Sequence, residues 1–471
     1  MIDTDALRSK IIDLAIQGKL TEQLLTDGNA EELYQQIQAE KAKLIKEKKI
    51  KKAKPLPEIS ADEIPFEIPD NWKWVRLRDV CRKIVDGDHN PPAGINESTE
   101  YMMLSAKNIN DDRIIDIENA RYLTKEVFEE ENKRTNLEIG DVLLTIVATL
   151  GRSCVYREKY NVCFQRSVCV ITTLLDSDFL KRVFDAGFIQ KLMVEGATGA
   201  AQPGFYLNKV EKMCIPVPPL SEQKRIVAKV DEVLAEIKII DELQSQYASN
   251  VDVLKSKIID AGIRGQLTEQ LPEDGTAEEL YQAIQEEKAQ LIKDKKIKKE
   301  KPLPEITAEE IPFEIPENWK WVRIGNIFQL HAGKNVKVNC ISDRADEEHQ
   351  YLCYGGNGIR GYVADYNCDG EYPLIGRQGA LCGNVHLAEG KFYATEHAVV
   401  TDTFANTDVK WAEIFLKALC LNQYATATAQ PGLAVNKIEQ VLIPLPPLSE
   451  QKRIVAKIDE VLSALDKRDR L

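Results

Sequence analysis

Residues 220–234 read LSEQKRIVAKVDEVL and residues 448–462 read LSEQKRIVAKIDEVL, with Val230 against Ile458 the single difference. The likeness extends backwards: TGAAQPGFYLNKVEKMCIPVPPLSEQ from Thr198 matches TATAQPGLAVNKIEQVLIPLPPLSEQ from Thr426. A second repeat runs in another frame. LRSKIIDLAIQGKLTEQL from Leu7 matches LKSKIIDAGIRGQLTEQL from Leu254, and the match continues through EIPDNWKWVRL and EIPENWKWVRI. Between the repeats lie two blocks, roughly residues 78–197 and 325–425, with no useful similarity. The chain is therefore shared segment, block, shared segment, block, shared segment. Only the middle shared segment, about residues 198–324, is complete. The N-terminal one holds its second part and the C-terminal one its first, so the two joined would rebuild another copy. That predicts a pseudo-two-fold arrangement.

From Ile226, apolar residues fall at Val230, Val233, Ile237, Ile240, Tyr247, Val251, Leu254, Ile258 and Ala261, interrupted only by Gln244. Steps of four and three define a heptad seam on one long central helix. Ser221, after Pro-Val-Pro-Pro, is the expected N-cap. The C-terminal copy carries the early seam (Ile454, Ile458, Val461, Leu465) and the N-terminal copy the late seam (Leu7, Ile11, Leu14). An antiparallel partner assembled from both ends is expected. A seam requires only its buried positions to recur. Here Glu222, Gln223, Lys224, Arg225 and Lys229 also return, as Glu450, Gln451, Lys452, Arg453 and Lys457. Read as outward-facing, they predict an identical partner docking once at each copy.

DGNAEELYQQIQAEKAKLIKEKKIKK from Asp27 and its twin from Asp274 are amphipathic helices ending in dense lysine. Those lysines either complement the helix C-terminus or rest on phosphates. The proline-bearing KPLPEI and EIPFEIPDNW read as an extended spacer. Trp72 and Trp74, like Trp319 and Trp321, are expected to anchor the start of each block.

At 471 residues, about three domains are expected. With 44% hydrophobic and 29% charged residues there is ample material for cores. No apolar run approaches the roughly 18 residues of a membrane span, and the N-terminus lacks the pattern of a secretory signal. Ten cysteines without a Cys-x-x-Cys spacing read as reduced core residues of a cytoplasmic protein. A net charge of −13 argues against coating nucleic acid by bulk attraction. It leaves room for contacts made by local groups.

Block 1 has strand-like runs (YMMLSA, DVLLTIVATL, VCVITTLL), turn-rich loops, and a helical stretch from Asp178 to Glu195. Block 2 has YLCYGGNGIRGYVADY and EYPLIGRQGALCGNVHLA, then a helical WAEIFLKALCLNQYA. Both read as compact α+β domains. Three motifs are decoys. Asn90–Ala93, Asn-Pro-Pro-Ala, lacks the aromatic and the glycine-rich strand of an adenine methyltransferase and reads as a turn. Gly356, Gly358 and Gly361 precede a strand rather than a helix, so they form a hairpin turn and no dinucleotide site. Cys382 and His386 lack a second ligand pair. His89, His331, His349, His386 and His397 never accompany a nucleophile, and no catalytic or metal site is expected.

Across essentially its whole length the sequence resembles the specificity subunit of type I restriction–modification systems. The resemblance rests on PLPPLSEQKRIVAKIDEVL, EIPDNWKWVRL, DGDHNPP, LSAKNI, GDVLLT, YGGNGIRGY and GALCG, in this order and duplication. It implies an α+β chain with two target recognition domains, separated and joined by long antiparallel coiled-coil helices. The expected divisions are 1–20, an N-terminal helix completing the distal pair; 21–70 and 268–317, amphipathic helix plus spacer; 71–218 and 318–446, recognition domains; 219–267, the central helix; and 447–471, the distal helix. It implies a non-catalytic reader of a bipartite, asymmetric double-stranded DNA site. Two methyltransferase subunits would dock at the repeats and two restriction subunits would join them. S-adenosylmethionine, ATP and magnesium would belong to those partners. Arg suits guanine edges and Asn or Gln adenine edges. On loop position and chemistry the candidates are His89, Asn90, Lys107, Asn108 and Arg152 in block 1. In block 2 they are Lys334, Asn335, Asn357, Arg360, Arg377 and Gln378. The competing class is an interaction scaffold, two ligand-binding domains on a coiled coil with no role on DNA.

Overall fold

A computed structural model describes residues 1–158, 160–199, 202–299, 301–379, 381–426 and 431–469. Residues 427–430 of the second Thr-to-Gln repeat, Ala380 of GALCG and the last two residues lie outside them. The chain forms two compact units, Ile2–Gln244 and Ser245–Leu471, the second also taking Met1. Length suggests three domains; there are two because each block shares one core with the helices flanking it. In the first unit Ile12 and Ile16, Ile37, Trp72, Val142, Phe179, Ile226 and Val230 all belong to a single apolar cluster.

The first unit opens with α1 (Thr4–Ile16), capped by the Asp3 carboxylate, and α2 (Ala30–Lys46), capped by Asn29. After the spacer come β1 (Lys73–Arg76), β2 (Cys81–Asp86), β3 (Tyr101–Leu104), β4 (Arg121–Tyr122), α3 (Lys125–Thr135) and β5 (Val142–Thr145). β6 (Ser153–Val155), β7 (Asn161–Phe164) and β8 (Val168–Thr173) complete the strands of the block. The single helix expected over Asp178–Glu195 is two, α4 (Ser177–Asp185) and α5 (Gly187–Glu195). Ala186 is extended between them, and the Gly187 amide donates to Asp13 Oδ1 of α1 at 2.8 Å. α6 (Leu207–Val210) and β9 (Cys214–Val217) lead into the 44-residue α7 (Leu220–Ile263). The helix begins one residue before the expected cap, Ser221.

The second unit takes over within α7. It continues with α8 (Ala277–Lys293), β10 (Lys320–Arg323), α9 (Ile324–Ile327), β11 (Gln329–Ala332), β12 (Tyr351–Gly355), β13 (Gly358–Val363) and β14 (Cys368–Gly376). β15 (Val385–Ala394), β16 (Ala398–Asp402), α10 (Val409–Ala418), α11 (Val435–Ile438), β17 (Leu442–Leu445) and α12 (Leu448–Asp469) follow. Gly356–Gly361 forms the turn and return strand of the β12–β13 hairpin.

The two blocks, unrelated in sequence, share one topology. Block 2 is a six-stranded sheet in the order β11-β16-β14-β15-β12-β13. Block 1 has β2-β8-β5-β6 and β4-β3-β7. The two orders coincide once the long β15 is seen to correspond to β6 and β7 together, which in block 1 end and begin at Val155 and Asn161. The parallel pair falls at the same place: Leu104 opposite Phe164, and Tyr354 opposite Ala394. β1–β9 and β10–β17 close the two blocks with the same antiparallel register, Trp74 opposite Pro216 and Trp321 opposite Pro444.

The seam holds in part. Ile226, Val230, Ile237 and Val251 are buried on α7, as are Ile454 and Ile458 on α12. Within the first unit α1 runs antiparallel to α7, Thr4 and Arg8 bonding Asp241. Within the second, α7 runs antiparallel to α12, Lys255 bonding Asp466 at 2.7 Å. On α1, however, Ile12, Ala15 and Ile16 are buried while Leu7, Ile11 and Leu14 are half-exposed, because α1 also packs on α4 and α5 of the block. Tyr247 and Leu254, expected in the seam, are 42% and 43% exposed. Val251, between them, stays buried, so the seam is kept there at one position and lost at its neighbours.

The repeated helix starts are not simply outward-facing. Glu222, Gln223, Glu450 and Gln451 are fully buried. The Trp72 indole donates to Glu222 Oε2 at 2.9 Å and the Gln23 amide to Oε1 at 2.8 Å. Trp319 and Gln270 do the same to Glu450, at 2.8 and 2.7 Å. Gln223 accepts the amide of Asp176, the N-cap of α4, and Gln451 that of Asp408, the N-cap of α10. Arg225 pairs with Asp27 at 2.6 Å, and Arg453 with Asp274, where Nη2 donates at 2.7 Å. Each arginine holds its aspartate below the ordinary carboxylate range, chiefly through the hydrogen bond. The spacers are tied likewise: buried Arg76 bonds the Pro57 and Glu58 carbonyls and Glu63, and Arg323 bonds those of Pro304 and Glu305 and Glu310. Glu63 is brought down to about 2, first by Arg76. These residues recur because each unit uses them for the same internal bonds, which corrects the reading of Glu222 and Glu450 as surface groups.

Replacing Glu222 with Ala strands the buried Trp72 N–H, removes the acceptor of the Gln23 amide and opens a cavity. The expected cost is about 3 kcal/mol, with a red-shifted tryptophan emission. Glu222→Gln, which keeps an acceptor for the indole, should recover most of it in urea denaturation. Equal stability of Glu222→Ala and the parent chain would refute the assignment.

Candidate nucleic-acid interface

In each block three loops meet at one edge of the strands, and backbone bonds hold them identically. The turn after the first strand begins with Gly87 or Gly333, whose amide bonds Val168 O at 3.1 Å or Ala398 O at 3.0 Å. A Cβ on either glycine would stand 2.0 or 2.2 Å from the carbonyl oxygen of Phe164 or Ala394, so only glycine fits. The next amide, Asp88 or Lys334, bonds that same carbonyl, at 2.8 or 3.0 Å. The strand-connecting turn is fixed by Gln165 N to Leu104 O and by Thr395 N to Tyr354 O, both 2.9 Å. The third loop carries Ile146 in block 1 and Arg377 in block 2, whose amides bond Ser167 O and His397 O. The repeated Pro-Gly of the shared segment closes it: Ala148 N to Pro203 O, and Gly379 N to Pro431 O, both 3.1 Å.

All six block 2 candidates fall on this cluster. Asn357, Arg360 and Gln378 line a cleft of about 510 Å³ together with Gly356, Gly379 and His397. Asn335 Nδ2 donates to Glu396 Oε1 at 3.0 Å, and His397 Nε2 lies 3.3 Å from the same oxygen. Arg377 Nε, His397 Nδ1 and Glu396 Oε2 are buried without a hydrogen-bond partner among the described residues. Lys334 is exposed beside Asn335. Unpartnered buried polar atoms carry a desolvation cost that an incoming polar ligand relieves.

Block 1 divides its candidates. His89 and Asn90 are exposed on the first turn, with His89 Nε2 2.8 Å from Asp86, which also pairs with Arg134. Lys107 is exposed at the position equivalent to Asn357. Asn108 is 1% exposed and spent internally: its Oδ1 accepts the Ser105 amide, and its Nδ2 donates to the Ile115 and Asp116 carbonyls. It is removed from the candidates, having the geometry of a cap that a loop sequence does not announce. Arg152 is exposed but lines a separate cleft of about 890 Å³ with Arg8, Lys181, Arg182, Asp185 and Asp231. Burial pushes the Asp185 carboxyl up, against Lys181 at 2.7 Å and Arg182 at 3.2 Å. Where block 2 has its polar cleft, block 1 presents buried Ala106, Ile146 and Val147. Sequence reasoning missed Arg166, exposed at the heart of the cluster, and His397.

Of the docking candidates, Lys224, Lys452 and Lys457 are exposed and Lys229 half-exposed. Lys229 and Lys457 pair with Glu232 and Glu460, both at 2.9 Å. Lys41 and Lys288 of the lysine-bearing helices turn inward, to carbonyls at Arg78 and at Gly325 and Phe328. Among the described residues no group of three or more His, Cys, Asp or Glu could hold a metal ion, and no helix is long and apolar enough to cross a membrane. Eight cysteines are buried or half-buried, Cys81 pushed up to about 12 by burial; Cys340 and Cys420 are exposed, against the expectation of core positions.

Two copies of one α+β fold, each bracketed by the same helix starts and presenting a loop cluster of Arg, Lys, Asn, Gln and His, define a duplicated recognition module. The family described as Type I restriction modification DNA specificity domain matches residues 69–246 and 316–470. The chain belongs to that family and is a type I restriction–modification specificity subunit. It is 27% identical to the EcoAI specificity subunit of Escherichia coli over 98% of this chain and 89% of that one. To the EcoprrI specificity subunit of Escherichia coli it is 47% identical, over 29% of this chain and 34% of the relative. A chain solved in work on complex assembly and conformational transition of the type I R-M system shares the fold, with TM-score 0.60 and 18% identity, over 86% of this chain and 94% of that one. The HsdS subunit from Thermoanaerobacter tengcongensis shares it with TM-score 0.50 and 19% identity, over 86% and 93%.

Proposed function

We propose that this specificity subunit reads a bipartite, asymmetric DNA sequence, one half-site per block, and performs no chemistry itself. The observation that carries the reading is the matched loop cluster: identical backbone bonds present different side chains at the same edge of two unrelated blocks. Such a scaffold suits two half-sites of different sequence. Base edges are read by the side chains, while partner subunits add phosphate contacts that a chain of net charge −13 does not supply in bulk. In this reading two methyltransferase subunits, and restriction subunits where present, bring S-adenosylmethionine, ATP and magnesium. Selection of randomised duplexes by the chain in complex with a methyltransferase partner tests it; absence of any sequence preference would favour the scaffold alternative.

Docking is proposed at the two repeated helix starts, now through Lys224 and Lys229 and through Lys452 and Lys457, because the glutamates and arginines beside them are committed internally. Reversing the first pair to Glu should remove one methyltransferase subunit, reversing the second pair the other, and light scattering should count two on the parent. A one-to-one parent complex would exclude equivalent sites. Arg225 and Arg453 are poor test positions, since their loss breaks the ion pairs to Asp27 and Asp274.

A further inference from the structure

We infer that the turns joining β7 to β8 and β15 to β16 are one shared base-reading position, at which Arg166 selects guanine in one half-site and Glu396 selects cytosine in the other. The inference rests on the DNA-reading function proposed above. The equivalence is set by the backbone. Gln165 and Thr395 bond Leu104 O and Tyr354 O, and the amides of Val168 and Ala398 bond back to Gln165 O and Thr395 O, at 3.0 and 2.9 Å. The residues immediately after Gln165 and Thr395 are Arg166 and Glu396.

Both lie at the centre of the loop cluster. The Arg166 amide donates to Asp88 O at 2.8 Å, one residue from His89, and Ser167 Oγ accepts the Ala106 amide at 3.0 Å, one residue from Lys107. Glu396 bonds Asn335 and stands against His397, which shares the polar cleft with Asn357, Arg360 and Gln378. Their hydrogen-bond demands are opposite. A guanidinium only donates and matches guanine O6 and N7; a carboxylate only accepts and matches the cytosine N4 amino group. Glu396 Oε1 is occupied by Asn335 and His397, whereas Oε2 is buried without a donor among the described residues. An amino group reaching Oε2 would meet that demand. A carboxylate facing DNA gains nothing from phosphates, so its use at such a place is discrimination rather than affinity.

The experiment compares Arg166→Ala and Glu396→Gln with the parent, each in complex with its methyltransferase partner, by selection and sequencing of randomised duplexes. Each variant is expected to lose about ten- to a hundredfold discrimination at one base pair of its own half-site, guanine for Arg166 and cytosine for Glu396. The other half-site should stay as in the parent. Arg166 is exposed and Glu396→Gln keeps the bonds to Asn335, so melting should not change; Arg166→Lys supplies a second variant that should retain part of the guanine preference. Unaltered preference in both half-sites, or uniform weakening without altered preference, would overturn the inference while DNA reading stands. A parent without sequence preference would overturn both.

Discussion

Ile458→Asp is expected to destabilise the second unit by about 4 kcal/mol. Ile458 is 1% exposed on α12 and belongs to the unit's apolar core with Ile454 and Val455. It packs against Gly262 of α7, where an added Cβ would stand 3.2 Å from Ile458 Cδ1. At 1% exposure a carboxylate there would lose most of its hydration. An aspartate there is disfavoured in its charged form, so its folded pKa lies above its unfolded value. Its stabilising protonated form is fully present below the unfolded pKa and lost as pH rises through the folded one. The deficit relative to the parent should therefore be smaller near pH 4 than at pH 8. Urea denaturation at the two pH values measures it, with Ser463→Asp on the exposed face as control. A parent-like midpoint at pH 8 would show that α12 does not pack as described.

Replacing roughly residues 75–197 by another block of this fold should change one half-site completely and leave the other untouched. The joint is made of residues that lie outside the exchanged stretch or recur in every copy. Trp72 and Gln23 both donate to Glu222, Arg225 bonds Asp27, and the Pro-Gly of the shared segment closes the third loop from outside. What the replacement must bring is a free backbone N–H at the place of Asp176 for Gln223 Oε1, which any residue but proline supplies. Methylome sequencing of cells carrying each chimera reads both half-sites at once. A swap that altered both halves would defeat the proposed division of labour.

The duplication, the long helix and the α+β character of the blocks were legible because they rest on side-chain identity and periodicity. The common topology of the blocks was not. It is carried by amide-to-carbonyl bonds such as Gln165 to Leu104 and Thr395 to Tyr354, which place almost no demand on residue type. Glu222 misled for the opposite reason: a charged residue on a helix start is exposed by default, and its partner Trp72 lies 150 positions away. Tyr247 and Leu254 keep the heptad spacing yet stand exposed on either side of buried Val251, so periodicity alone overstated the seam. In the candidate site, polar type and loop context located the block 2 cluster. They could not separate Asn108, folded inward as a cap, from Lys107 beside it, nor single out Arg166, embedded in the apolar run NVCFQRSVCVI.

The Trp–Glu–Gln knot and the Arg–Asp pair recur at both positions with the same partners and nearly the same lengths. A block therefore meets the same fastening wherever it is inserted, and nothing in the joint records first or second place. The two positions offer the same fastening, so a block is expected to fold in either. Exchanging the blocks would keep the recurring fastenings and, on the proposed reading, reverse the order in which the half-sites are spelled. On the division of half-sites proposed above, one pair of blocks would thus encode two distinct sequences.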